Sequence, residues 1–417
     1  MRYSHYKPTG IPWLPEIPEG WEMRRVASLL KVKDCPNAPN EELLSVFLDR
    51  GVIRFSEGGD KRANATSKDL GKYQLVEVDD FVMNNQQAWR GSVGVSKYRG
   101  IISPAYFVVQ MSDCLDARYA DFALRSRPYV NVYEICSRGV GSIQRNLIWN
   151  MFKQRHFPLP PLSTQRAIVA FLDEKCGKVN RLVAAKEKEV ALLKELKQSI
   201  VSECVTSGLA HKDLIEPTGV FWQPMMPEGW SVKKCRHALR KLNRSRPQGA
   251  ELLVCTNKGT VNKRGDAKIG LVSDDETIYQ GVAKGDLLIH GMDTWHGAIA
   301  VSKFDGMCTP VVHVCDSSES KEFVAYCFQN MARGRLFKLI SNGVRQNTSD
   351  FRSWEKVAQL PLILPPLAEQ REIVAHIEAR AAKMGAAAAG IEKEIAALKE
   401  YKQRLIADVV TGQRRVA

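Results

Sequence analysis

The chain is written twice, and any fold it adopts has to accommodate that. Pro8-Thr9-Gly10, Trp13 and Pro18-Glu19-Gly20-Trp21 return as Pro217-Thr218-Gly219, Trp222 and Pro227-Glu228-Gly229-Trp230, without a gap and 209 residues on. A second block, Pro160-Pro161-Leu162 with Gln165-Arg166 and Ile168-Val169-Ala170, returns 205 residues on as Pro365-Pro366-Leu367, Gln370-Arg371 and Ile373-Val374-Ala375. Between them, Asp80, Trp89, Gly91, Val95-Ser96-Lys97, Gly100 and Pro104 match Asp286, Trp295, Gly297, Val301-Ser302-Lys303, Gly306 and Pro310, 206 residues on. Three ordered blocks at nearly one offset mark a duplication, and a duplicated unit is the first thing an architecture must explain.

Each copy has two parts. Residues 1–158 and 209–362 are rich in glycine, aromatic and β-branched residues. Short runs at 73–78, 81–83, 92–96 and 106–110 read as strands between turns, and 122–127 and 323–333 read as helices. The expected class is α+β: two pseudo-repeated α+β domains joined by two long helices. The helices fall in residues 159–208 and 363–417. Each opens with a proline stop, Pro158-Leu159-Pro160-Pro161 or Pro365-Pro366, and Ser163 is placed to cap the first.

Ile168, Leu172, Val179, Val183, Val190, Leu193, Leu196, Ile200 and Cys204 recur mostly at steps of three and four. The second copy offers Ile373, Ile377, Met384, Ile391, Ile395, Leu398, Leu405 and Val409. Such stripes bury against another helix, so the two are expected to pair as an antiparallel coiled coil. Unbroken from Ser163 to Thr206, the first helix would run about 65 Å at ~1.5 Å per residue. Gly208 and Gly412 stand where each helix should stop. The stretch 384–390, Met-Gly-Ala-Ala-Ala-Ala-Gly, is either a close-packed contact or a frayed turn.

Sixty Lys and Arg against 46 Asp and Glu leave a net charge of +14 and a pI near 9.3. That excess points to a polyanion, nucleic acid before membrane. No apolar stretch reaches the length of a membrane span, and residues 1–7 lack the apolar core of a secretory leader. None of the ten cysteines forms a Cys-x-x-Cys pair, so reduced thiols in a cytoplasm are expected and no metal site is.

Catalytic motifs are missing. There is no phosphate-binding Gly-x-x-x-x-Gly-Lys-Ser/Thr loop, no dinucleotide-binding Gly-x-Gly-x-x-Gly, no His-Glu-x-x-His, and no Asn/Asp-Pro-Pro-aromatic tetrapeptide. Glu195-Leu196-Lys197 and Glu400-Tyr401-Lys402 resemble the end of a nuclease motif, but they lie on the helices without a companion carboxylate and read as surface charge.

Two pairs of segments carry the residue types that read base edges. Asn84, Asn85, Gln86, Gln87 and Arg90 surround Trp89, and His290, Asp293, Thr294 and His296 surround Trp295. Amides and guanidinium groups make bidentate contacts to adenine and guanine in the major groove. A polar hairpin loop around a core tryptophan fits the same residues. The second pair holds Gln144, Arg145 and Asn146 after a glycine turn, and Arg345, Gln346 and Asn347 after another. Phosphate or base contact and plain turn formation fit these equally.

Taken together, the blocks resemble the specificity subunit of type I restriction–modification systems over essentially the full length. The marks are Gly10 to Trp21 with Gly219 to Trp230, Leu159 to Val169 with Leu364 to Val374, and the Val-Thr-x-Gly helix end at Val205 to Gly208. The second copy departs there, with Val410-Thr411-Gly412-Gln413. The resemblance implies that 1–158 and 209–362 are target recognition domains, each reading one half of an asymmetric bipartite site in double-stranded DNA. The helical regions would set the unread spacer and dock two copies of a methylation subunit, with Gln165, Arg166, Gln370 and Arg371 as docking candidates. It further implies motor–nuclease partners, with S-adenosylmethionine, ATP and Mg2+ on the partners and no cofactor or catalysis in this chain. The alternative is a recognition adaptor of another DNA-modification or phage-defence system without a nuclease partner.

Overall fold

A computed structural model describes residues 2–58, 69–139, 145–209, 214–265, 276–340 and 351–416. The chain forms two compact units: residues 1–187 with 392–417, and residues 188–391.

The first unit is built on a four-stranded antiparallel sheet. Its strands are β1 (Leu30–Lys33), β2 (Phe81–Asn84), β3 (Val93–Val95) and β4 (Tyr106–Met111), in the order β1-β4-β2-β3. The second unit repeats it with β5 (Leu239–Lys241), β6 (Leu287–His290), β7 (Ile299–Val301) and β8 (Val312–Ser317), in the order β5-β8-β6-β7. The strands expected at 81–83, 92–96 and 106–110 are present to within one residue at each end, whereas that at 73–78 shortens to Gln74–Val76.

Successive side chains of a strand face opposite sides, and here both sides are covered. Phe81, Met83 and Val109 enter one core, while Val82 and Val108 enter another. In the second unit Leu287 and Ile289 take one side, and Leu288 and Val314 the other. This is why the strands read as unbroken apolar runs. The repeated Asp80 and Asp286 pin the turn before the central strand. Asp80 accepts from the Glu77 amide at 2.8 Å and pairs with Lys33 at 2.6 Å. Asp286 accepts from the Ala283 amide at 2.7 Å and pairs with Arg244.

The helix expected at 122–127 is instead two, Ala117–Leu124 and Arg127–Ile135. Asp116 starts the first by accepting from the Tyr119 amide, and Pro128 stands in the first turn of the second. The helix expected at 323–333 is Lys321–Arg333, capped by Ser320.

The two long helices, Leu162–Ser207 and Leu367–Val410, run 46 and 44 residues without a break. Each contributes to both units, since the units divide at Glu187 and Glu392. Ser163 lies inside the first turn. The Pro161 carbonyl takes the capping position instead, accepting from the Gln165 amide at 2.9 Å, as Pro366 does from Gln370 at 3.0 Å. Gly208 and Gly412 end the helices at φ +74° and +76°, a conformation that a side chain disfavours.

Within the first unit the helical segments run antiparallel. Lys402 donates to Asn180 and Lys399 to Glu187, each at 2.9 Å, and Lys186 pairs with Glu394. Ile168, Leu172 and Cys176 share a core with Leu405, Ile406 and Val409. In the second unit Val201, Cys204 and Val205 share one with Ile373 and Ile377. Leu196 departs from the expected stripe and is 51% exposed. The stretch 384–390 is continuous helix, and a Cβ at Gly385 or Gly390 would meet nothing within 4 Å, so it is neither a close contact nor a frayed turn.

His313 on β8 is fully buried, with Nε2 2.7 Å from the Phe351 carbonyl and, among the described residues, no partner for Nδ1. Burial depresses its pKa below the ordinary value, and the Phe351 carbonyl opposes this only in part. The unfolded chain therefore takes up a proton near pH 6.5 that the folded one refuses, and stability falls as pH drops from there toward the folded pKa. A melting series from pH 8 to 5.5 should show that decline, and H313F should flatten it. An equal slope in both proteins would remove His313 as its source.

Candidate nucleic-acid interface

The loops after β2 and β6 are the same backbone element with different chemistry. Each runs through a 3-10 turn, Ala88–Arg90 or Thr294–His296, closed by a glycine in the left-handed region, Gly91 or Gly297.

In the first unit Asn84 closes the loop locally. Its Oδ1 accepts from the Gln86 amide at 3.0 Å, and its Nδ2 donates to the Tyr106 hydroxyl at 3.1 Å. Trp89 donates from Nε1 to the Gln86 carbonyl at 3.1 Å. Its ring is only half-buried, and two guanidinium groups lie over it, Arg90 at 5.0 Å and Arg145 at 4.8 Å from the centroid. Arg145 comes from the hairpin that pairs Ser137–Arg138 with Asn146–Leu147. That hairpin is joined to the loop by the Leu147 amide, which donates to the Asn85 carbonyl at 3.0 Å.

The fold thus brings together Asn84, Asn85, Gln86, Gln87, Arg90, Arg145 and Asn146, which the sequence placed in two separate segments. Gln86, Arg90 and Asn146 are exposed, and the others are half-buried. Among the described residues the buried Asn85 Oδ1 has no partner. Gln144 lies outside the described residues. Glu134, which pairs with Arg145 at 3.0 Å, was not anticipated. It sits on a helix eleven positions away, and no local spacing signals it.

In the second unit Asp293 sits between two imidazoles. The Asp293 amide donates to His290 Nδ1 at 3.1 Å, and its carboxylate lies 3.4 Å from His290 and 4.0 Å from His296. Burial lowers the His290 pKa and Asp293 partly restores it. Trp295 packs against the core, so the packing reading holds for this copy. Thr294 is 1% exposed and is corrected from a contact residue to a core one. Gly291 is required where it stands, because a Cβ would meet the Phe351 carbonyl at 2.8 Å. Arg345, Gln346 and Asn347 lie outside the described residues, although Phe351 and Arg352 just after them lie against this loop.

Gln165 and Gln370 are fully buried, which removes them as docking candidates. Gln165 Oε1 accepts from the Asp116 amide at 2.8 Å, and Nε2 donates to the carbonyls of Cys114 and Pro160 at 2.9 and 2.8 Å. Gln370 repeats this on the Ser320 amide at 2.9 Å, the Glu319 carboxylate at 2.7 Å and the Pro365 carbonyl at 2.9 Å. The paired arginines, Arg166 and Arg371, are exposed. Elsewhere on the long helices Leu182, Leu192 and Tyr401 are about half exposed, at 46, 52 and 48%. Among the described residues no helix is long and apolar enough to cross a membrane, and no group of three or more His, Cys, Asp or Glu could hold a metal ion.

The duplicated scaffold thus carries one loop geometry with two different sets of polar side chains. Residues 18–191 match the family model described as the type I restriction modification DNA specificity domain. The chain is 23% identical over 405 residues to the type I restriction enzyme StySPI specificity subunit of Salmonella potsdam, covering 91% of this chain and 85% of that one. Its fold is similar to a chain solved in work on complex assembly and conformational transition of the type I R-M system, with a TM-score of 0.68 at 14% identity over 94% of this chain and 98% of that one. These matches bear out the resemblance that the repeated motifs carried.

Proposed function

We propose that this chain reads one asymmetric, bipartite sequence in double-stranded DNA for a type I restriction–modification complex, each unit reading one half. The observation that carries the reading is the pair of equivalent loops, amide- and arginine-bearing in one unit and His- and Asp-bearing in the other. Identical loops would ask for a symmetric site, whereas these ask for two different half-sites. The chain itself is the recognition component. Two copies of a methylation subunit dock on the exposed positions of the long helices, Arg166, Arg371 and the half-exposed Leu182, Leu192 and Tyr401. Motor–nuclease subunits join them in the cytoplasm, and S-adenosylmethionine, ATP and Mg2+ belong to the partners. The helical pair sets the unread spacer.

The test is modification-sensitive sequencing of genomic DNA from the source strain and from a deletion of this gene. Loss of one split, asymmetric methyl-adenine motif is the expected result. An unchanged methylome with the partners expressed would favour the adaptor of another system. Binding by the assembled complex should also weaken steeply with salt, since phosphate contacts release condensed counterions. Affinity constant between 50 and 200 mM salt would remove the role given to the +14 charge.

A further inference from the structure

We infer that Arg145, held on the face of Trp89, reads a guanine in the half-site of the first unit, an inference that rests on the DNA-recognition reading above. The guanidinium is fixed from two directions. The Trp89 ring lies 4.8 Å away, and Glu134 takes Nη1 at 3.0 Å. Among the described residues Nε and Nη2 have no partner, so one edge of the fork is left with two parallel donors. Guanine offers two acceptors, O6 and N7, at the spacing such an edge matches. The side chain is 34% exposed, which leaves that edge in reach of a ligand while the stem is held.

Trp89 is a positioning residue. It fixes the plane of the arginine, and its own Nε1 is tied to the Gln86 carbonyl. The hydrogen bond between Leu147 and Asn85 locks the hairpin that carries Arg145 to the loop that carries Trp89. Arg90 lies over the same ring at 5.0 Å. Two cations on one ring, with the Glu134 carboxylate beside them, make a tip that an anionic duplex neutralises. Trp295, the equivalent residue, is likewise partly buried and packs against the core of the second unit.

The test compares methylomes of strains carrying the full chain with its partners, as wild type, R145A, R145K, W89A and W89F. In wild type, one half-site contains the guanine. R145A and R145K should each lose about tenfold or more of the discrimination at one position of that half, with the other half unchanged. W89A should relax the same position, and W89F, which keeps a ring face, should restore it. R145K is the deciding variant, because lysine keeps a phosphate contact but cannot present the planar fork. Uniform loss of modification in R145A with the motif intact, rescued by R145K, would mean phosphate contact and overturn the inference. A wild-type strain without any split motif would sink the DNA-recognition reading itself and the inference with it.

Discussion

Replacing Gln165 by alanine should cost the first unit about 4 kcal/mol, read from the shift in denaturant midpoint. The side chain is fully buried and satisfies three backbone groups, the Asp116 amide and the carbonyls of Cys114 and Pro160. Each buried polar group left unpaired costs about 1–3 kcal/mol. The damage spreads, because the Asp116 side chain caps the helix carrying Tyr119, one of the largest side chains in that core. Q370A should do the same to the second unit through Ser320, Glu319 and Pro365. Q165E keeps an acceptor but turns a carboxylate toward two carbonyls, so it should not rescue. R166A is the control, since an exposed neighbour should change stability by no more than about 0.5 kcal/mol. If Q165A were as mild as R166A, the glutamine would not be what holds the start of the helix.

Adding four residues to each long helix, after Lys188 and after Lys393, should move the modified motif outright. Four residues are close to one turn, so the apolar stripe keeps its face. Each insertion adds about 6 Å of helix, against ~3.4 Å per base pair. Both half-sites should stay as they were, and the unread spacer should lengthen by about one or two base pairs. The original sites would lose modification completely, because recognition at the wrong distance engages only one half. A two-residue insertion rotates the stripe by roughly 200° and should unpair the helices instead. An unchanged spacer in the four-residue variant would mean that the helices do not measure it.

The parts of this molecule visible in its sequence are those that obey a period. The duplication was legible because it repeats whole blocks at one offset, and the long helices because their apolar residues step by three and four. The four-stranded sheets were half visible, since Phe81, Val82 and Met83 are all buried and show no alternation to mark a face. What stayed hidden was set by partners remote in sequence. Gln165 and Arg166 read alike as polar residues on a helix, and only the Cys114 to Asp116 turn, some fifty positions upstream, takes one of them inside. Trp89 and Trp295 occupy the same place in the repeat. The ring of Trp89 lies under Arg90 and Arg145, and Arg145 comes from some fifty-five positions on, so no local spacing announces it. The prolines before each long helix read as stops, yet their carbonyls begin it.

The first unit is closed by residues 392–417. Tyr6 donates to the Gly412 carbonyl at 2.9 Å, Tyr119 to that of Val410 at 3.2 Å, and Gln413 to that of Glu16 at 3.0 Å. On the ribosome these partners are made after the whole of the second unit. The second unit, 188–391, is one continuous run and can finish folding as it emerges. The first must wait with part of its apolar interior uncovered, a window in which a chaperone or a waiting partner subunit has the most to cover. Birth order and completion order are reversed in this chain, and a stop codon near residue 392 would spare the half made second and ruin the half made first.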